Sequence, residues 1–206
     1  MFITLEGGEG SGKSTTIKML QEYFNNENID FITTREPGGT KIGKQIREVI
    51  VNKENTMMDA DTEALLYAAD RNQHLKEVIL PALNDKKLVL CDRYIDSNFV
   101  YQGYARGLGI EKILKVNESI GYRVPDLTFY FDLDPKIGLE RINKDKNREI
   151  NRLDLENLDF HNKVRNGYLD LSKKFERIVV IDADRTPDEI FEEVKEIIIS
   201  KLKELN

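Results

Sequence analysis

Between a short apolar run, FITLE (2–6), and an apparent helix, the chain places four glycines in eight residues, GGEGSGKS (7–14). A structural turn needs one or two, so this density marks backbone that must approach something closely. A strand feeding a helix through so short a loop also constrains the fold, and the alternation continues. DFITTRE (30–36), KLVLCD (87–92), LTFYFDL (127–133) and IVVIDA (178–183) are the other candidate strands. They read as nearly continuous apolar runs, as strands covered on both faces do. Between them apolar residues recur at helical spacing: Ile42, Ile46, Val49 and Ile50, then Ala64, Leu65, Ala68, Leu75 and Ile79. A last helix is signalled by the capping box Thr186–Glu189, by Pro187 in its first turn, and by the face Ile190, Val194, Ile197 and Ile198. The pattern predicts an α/β fold in three layers, a five-stranded parallel sheet flanked by helices. A length of 206 residues predicts a single domain, 1–206, with room for a short insertion.

Composition narrows the partners. The 31 basic and 37 acidic residues give a net charge of −6, which argues against a general nucleic-acid or anionic-membrane surface. No apolar run approaches the length of a membrane span, and FITLE begins too early for a signal peptide, so the cytoplasm is expected. The single cysteine, Cys91, cannot form an internal disulfide, and in LVLCD it reads as a small buried strand residue. The two histidines lie far apart, which leaves no Cys/His zinc pattern.

GGEGSGKS fits the P-loop pattern, with Gly7, Gly12, Lys13 and Ser14 at the required places and the strand-to-helix context that the motif needs. Residues Gly7, Gly8, Glu9, Gly10, Ser11, Gly12, Lys13, Ser14 and Thr15 are therefore expected to bind ATP. The glycines let backbone N–H groups wrap a phosphate at a helix N-terminus. Lys13 is placed to reach the β- and γ-phosphates, and the Ser14 hydroxyl to ligate Mg²⁺. The fold expected is that of a P-loop NTPase. A GTPase would carry NKxD and DxxG; NKDK (143–146) and NKEN (52–55) do not match, and no glycine has an aspartate three residues before it.

The third strand ends in CDRYIDS (91–97). Asp92 then lies where α/β sheets place ligands and is a second Mg²⁺ candidate, and Arg93 beside it is placed to clamp a further phosphate. One stretch breaks the alternation: KDKNREINRLDLEN (144–157) is charged and poor in apolar residues. It reads either as a solvated loop or as a flap carrying Lys144, Lys146, Arg148 and Arg152 over a bound anion.

The chain resembles the thymidylate kinases. The resemblance runs through ITLEGGEGSGKST at the start, TREPGGT (34–40), EALLYAADRNQH (63–74), CDRYIDSNFVYQGYARG (91–107), PDLTFYFDL (125–133) and NRLD (151–154). It implies transfer of the ATP γ-phosphoryl group to dTMP, with Mg²⁺, in a homodimer. By position in these blocks, Glu9 contacts the sugar 3′-hydroxyl, and Tyr67 stands where the family usually has phenylalanine to stack on thymine. Arg71 and Gln102 hydrogen-bond the base, Arg47 and Arg93 hold the monophosphate with Ser97 and Tyr101, and Glu36 lies near the acceptor. From the residues alone, Tyr67 reads equally as core and Arg47 as a solvated helix residue, although Arg71, four positions after Tyr67, shares its face.

Some members of the family carry a basic residue in the P-loop where this chain has Gly10; the other variant supplies its catalytic arginine from a lid. The second variant fits a lid at about 143–155, with Arg152 aligned more securely than Arg148 and with Lys13 and Arg93 completing the catalytic set. Asn151 and Asp154 depart from the family's usual block. Arg141 is assigned either to adenine or to a helix cap. Two other readings remain: a deoxynucleoside kinase, which would need a carboxylate base and no monophosphate clamp, and a nucleotide switch whose ATP use ignores an acceptor.

Overall fold

The computed structural model describes residues 1–144 and 151–205. Five parallel strands form one sheet in the order β2-β3-β1-β4-β5: β1 (Phe2–Gly7), β2 (Phe31–Arg35), β3 (Leu88–Asp92), β4 (Leu127–Asp132) and β5 (Ile178–Asp182). Each lies within a residue or two of an expected strand. The central strand β1 pairs β3 on one side, with Thr4 opposite Cys91, and β4 on the other, with Gly7 opposite Phe131. Connections leave in both directions from β1, so its C-terminal end is the crevice where such sheets bind ligands.

Alternation along β1 divides the core. Ile3 and Leu5 join Leu90, Phe129 and Phe131 beneath α1 (Lys13–Asn26) and the last helix, while Phe2 joins Val89, Cys91 and Tyr130 on the opposite face. Each of these fully buried side chains contributes about 1.5–3 kcal/mol of transfer free energy. Cys91 is buried as expected, and burial pushes its thiol pKa well up. The opposite face also buries polar groups: Thr4 and Thr128 share a hydroxyl hydrogen bond of 2.8 Å, and Asp96 takes both arms of Arg177 at 2.6 and 2.7 Å.

The remaining helices are α2 (Lys41–Val51), α3 (Ala60–His74), α4 (Leu80–Asn84), α5 (Ile95–Asn98), α6 (Ile110–Ile120), α7 (Pro135–Lys144), α8 (Leu158–Lys174) and α9 (Pro187–Leu205). Thr40 caps α2 by accepting from Gly43 N at 2.9 Å. At α9 the expected capping box forms, with Glu189 Oε2 accepting from Thr186 N at 3.0 Å. Wide π-helical turns occupy Leu75–Ile79 and Phe99–Ala105.

Two features add to the sequence pattern. The apolar residues of α2 and α3 do not form a single inward face: Ile50, Ala64 and Ala68 are buried, whereas Ile42, Val49 and Leu65 are about half exposed. NRLD, which departs from the family block, makes its own capping box. Asn151 Oδ1 accepts from Leu153 N and Asp154 N, and Asp154 Oδ2 accepts from Asn151 N, closing a single 3₁₀ turn at Arg152–Leu155. Among the described residues no helix is long and apolar enough to cross a membrane.

Candidate active site

Helix α1 starts at Gly12, whose φ of 92° suits glycine, and no side chain caps it. Thr15 N donates to Gly12 O at 3.0 Å, and the N–H groups ahead of it in the first turn have no side-chain cap. The four glycines do not all serve a ligand. A Cβ at Gly8 or Gly12 would meet nothing within 4 Å, whereas one at Gly7 would press on the Phe131 carbonyl and one at Gly10 on the backbone of Gly138 in α7. The contact is reciprocal, because a Cβ at Gly138 would press on the Glu9 carbonyl. Position 10 is thus closed to a long basic side chain. Arg141, one turn later in α7, donates to the carbonyls of Gly10 and Ala183 at 3.3 Å each and pairs with Asp184. It fastens the loop to β5.

Lys13 is buried, and its Nζ donates to the carbonyls of Gly7 and Gly8 at 3.0 and 2.9 Å and to Ser11 Oγ at 3.2 Å. Burial, reinforced by the Arg93 charge, lowers its pKa to about 8. Ser14 is exposed at the loop mouth.

At the end of β3 the chain turns sharply, with Arg93 at φ 64°. A non-glycine residue in that region is uncommon and strained. The turn is held by Arg93 N donating to Leu5 O and by Tyr94 N donating to Glu6 Oε1 at 2.8 Å. It aims the Arg93 guanidinium at Glu9 Oε1 (2.8 Å), Tyr101 Oη (3.1 Å) and Ser97 Oγ (3.4 Å). Behind it Glu6 is buried and accepts from Ser97 Oγ at 2.5 Å and Tyr168 Oη at 2.8 Å. Burial first, and Asp96 second, raise the Glu6 pKa to about 7.

A cavity of about 900 Å³ joins these parts, within the range of small-molecule sites. Lys13 and Ser14 of the loop and helix α1, Asp92 and Arg93 at the end of β3, and Arg47, Tyr67, Arg71, Ser97, Tyr101 and Gln102 all line it. Glu9, Glu36 and, from the NRLD turn, Asn151 and Leu153 complete the wall. Arg47 donates to Pro37 O at 3.3 Å and carries a lowered pKa, first from burial and then from Arg35. Burial pushes the Tyr67 hydroxyl pKa up, so the ring stays neutral.

Asp92 Oδ1 is buried with no hydrogen-bond partner among the described residues. An orphaned carboxylate oxygen and the exposed Ser14 hydroxyl on one cavity suit a hard divalent cation whose other ligands are water and phosphate oxygen. No cluster of three or more His, Cys, Asp or Glu side chains fit to hold a metal occurs among the described residues, so a site made by protein alone is not built here.

Two expected residues are held by other protein groups. Arg152 is turned away from the P-loop: its Nε donates to Ile50 O at 3.0 Å and its NH2 to Glu63 Oε2 at 2.5 Å, because a buried guanidinium takes the buried carboxylate nearest to it. Glu36 is committed to Arg71 (3.0 Å) and His74 (2.9 Å) deep in the core. Arg148 and Lys146 lie outside the described residues. The sequence reading missed Glu6, Glu63, His74, Asn98, Asn117 and Tyr168, all buried polar groups of the site's supporting layer. Glu63 had a signal, since 63, 67 and 71 are four apart on one helix face.

Residues 5–194 match the thymidylate kinase family. A thymidylate kinase of Clostridium novyi (strain NT) is 57% identical over 196 residues, 94% of this chain and 96% of its own. One from Geobacillus thermodenitrificans is 54% identical over 204 residues, 98% of this chain and 91% of its own. The crystal structure of thymidylate kinase from Ehrlichia chaffeensis superposes with a TM-score of 0.77 at 33% identity, covering 96% of this chain and 98% of that one. With its P-loop, its β3 turn and its full length all accounted for in this way, the chain belongs to the thymidylate kinase family.

Proposed function

We propose that this chain transfers the γ-phosphoryl group of ATP to the 5′-phosphate of dTMP, giving dTDP and ADP for dTTP synthesis. The observation that carries the reading is that one cavity is lined both by P-loop Lys13 and Ser14 and by Arg47, Arg93, Tyr67 and Gln102. A phosphate monoester is already a competent nucleophile, so the chain's task is to place two anions together and offset their charge. Lys13 exchanges its loop carbonyls for the β- and γ-phosphates. Arg93, pre-aimed by the strained turn, and Arg47 hold the acceptor phosphate, with Ser97 and Tyr101 beside it. Glu9 meets the sugar hydroxyl, Tyr67 stacks on thymine, and Arg71 and Gln102 read its edge. Ser14 and Asp92 would hold Mg²⁺, which would supply charge neutralisation of the donor phosphates.

The domain is a single kinase unit whose segment 143–155 acts as a lid that excludes water. Arg152 anchors the base of that lid through Glu63 and the Ile50 carbonyl. The lid guanidinium that meets the transferring group then falls to Arg148. The enzyme works in the cytoplasm as a homodimer, in which a second copy covers the exposed Ile42, Val49 and Leu65; sedimentation of the purified chain tests this.

The test of the activity is ADP formation from Mg·ATP with dTMP, dUMP, dCMP, dGMP, dAMP, thymidine or no acceptor. Strong stimulation by dTMP with dTDP as product supports the reading. Acceptor-independent ATP use would point to a nucleotide switch, and a preference for thymidine to a nucleoside kinase.

A further inference from the structure

The wall that meets the acceptor base holds three side-chain amides in series. Asn117 Nδ2 donates to Ile113 O at 2.7 Å and to Asn98 Oδ1 at 3.0 Å, and Asn117 Oδ1 accepts from Arg71 NH1 at 2.7 Å. Asn98 Oδ1 also accepts from Arg71 NH1, at 3.1 Å, and Asn98 Nδ2 donates to Gln102 Oε1 at 2.9 Å. Gln102 Nε2 donates to Glu63 Oε1 at 2.5 Å. Each of these five side chains is at most 1% exposed.

An amide is nearly symmetric in shape, so its orientation is set by its partners. Here the partners at both ends have no choice: a backbone carbonyl accepts, a guanidinium donates, and a carboxyl group paired with the guanidiniums of Arg106 and Arg152 accepts. No amide in the series can flip without setting donor against donor or acceptor against acceptor in a buried site, where an unmade hydrogen bond is costly. Gln102 lines the cavity and keeps one N–H and one lone pair beyond those used in the series, in a fixed order. Thymine presents a carbonyl acceptor beside an N–H donor, and cytosine presents an amino donor beside a ring-nitrogen acceptor. The locked order matches thymine; a flipped amide matches cytosine.

We propose that Glu63 is a specificity-determining positioning residue, which locks the Gln102 amide in the order that reads thymine and rejects cytosine. The proposal rests on Gln102 as the base reader of the dTMP site. Glu63 acts through Gln102, and Arg152 at 2.5 Å with Arg106 at 3.4 Å holds its charge, so the base of the lid belongs to the same lock.

The experiment measures kcat/KM for dTMP, dUMP and dCMP in the full-length wild type, Glu63→Gln and Asn98→Ala. Asn98→Ala removes the other hydrogen bond to the same amide without touching the Glu63–Arg106–Arg152 ion pairs, and Arg71 keeps its shorter bond to Asn117 Oδ1, so the lock is read even where Glu63→Gln fails to fold. A bidentate amide contact discriminates by about tenfold or more, so the dTMP:dCMP ratio is expected to fall by about that factor in both variants, through KM for dTMP. The dTMP:dUMP ratio, which reads the methyl group, stays at the wild-type value. A folded variant with an unchanged dTMP:dCMP ratio, or with both ratios falling together, would overturn the lock. Absence of dTMP stimulation in the wild type would overturn the site assignment itself, and that arm is read first.

Discussion

Gly138→Ala is the substitution on which the P-loop's packing makes the sharpest demand. A Cβ at Gly138 would lie closer than 3.0 Å to the Glu9 carbonyl oxygen, where 3.4 Å begins ordinary contact, and that neighbour is backbone that cannot swing aside. Two effects oppose each other. Replacing glycine within a helix gains about 1 kcal/mol of propensity. Forcing the extra carbon into a packed contact costs about 1–3 kcal/mol. The net loss is therefore about 0–2 kcal/mol, which at this chain length lowers Tm by up to about 8 °C. Activity suffers more, because relief of the contact moves Glu9 and Gly10 with the loop that positions the donor phosphates. A displacement approaching 1 Å costs about 100-fold in rate. Steady-state kinetics with varied Mg·ATP, alongside calorimetry, separates the two. A variant with wild-type kcat/KM for ATP and an unchanged or raised Tm would refute the argument that α7 and the loop share a contact closed to side chains.

Three further outcomes follow from the same geometry. Burial raises the folded pKa of Glu6 to about 7 from an ordinary 4.5, so the fold binds its proton more tightly; its contribution is complete below pH 4.5 and is lost as pH rises toward 7. Urea unfolding of Glu6→Gln between pH 4.5 and 7.5 should lack that downward slope, and an identical pH profile would contradict the burial cause. Arg152→Ala leaves Glu63 with Arg106 alone and should cost about 3 kcal/mol in denaturant unfolding, the low end for a broken buried pair; a loss of turnover with stability intact would instead place its guanidinium at the reacting phosphate. Because a methyl group is worth about 1–3 kcal/mol in an apolar pocket, dUMP should be phosphorylated measurably, which saturating-substrate assays check.

Strands and P-loop were legible in the sequence because each is a local pattern: apolar runs of strand length, and glycines at fixed offsets before Lys13 and Ser14. The supporting layer was not. Glu6 and Tyr168 meet at 2.8 Å across 162 positions, Asn98 meets Asn117 only where α5 and α6 converge, and Glu63 of α3 joins them through Gln102. Arg152 shows the same limit in reverse. Its place in NRLD was readable, but the direction of its guanidinium depended on a buried carboxylate 89 positions away. Exposed Ile42 and Val49 are a third case, since periodicity reports an apolar stripe and not which side of a helix the core occupies.

The central claim is that one cavity holds donor and acceptor phosphates together. Calorimetric titration with an adenosine–thymidine bisubstrate analogue joined by a polyphosphate linker tests it most directly. The account predicts one equivalent per chain, with binding suppressed by excess ATP and, separately, by excess dTMP. Binding that dTMP leaves untouched, or two independent equivalents per chain, would contradict it.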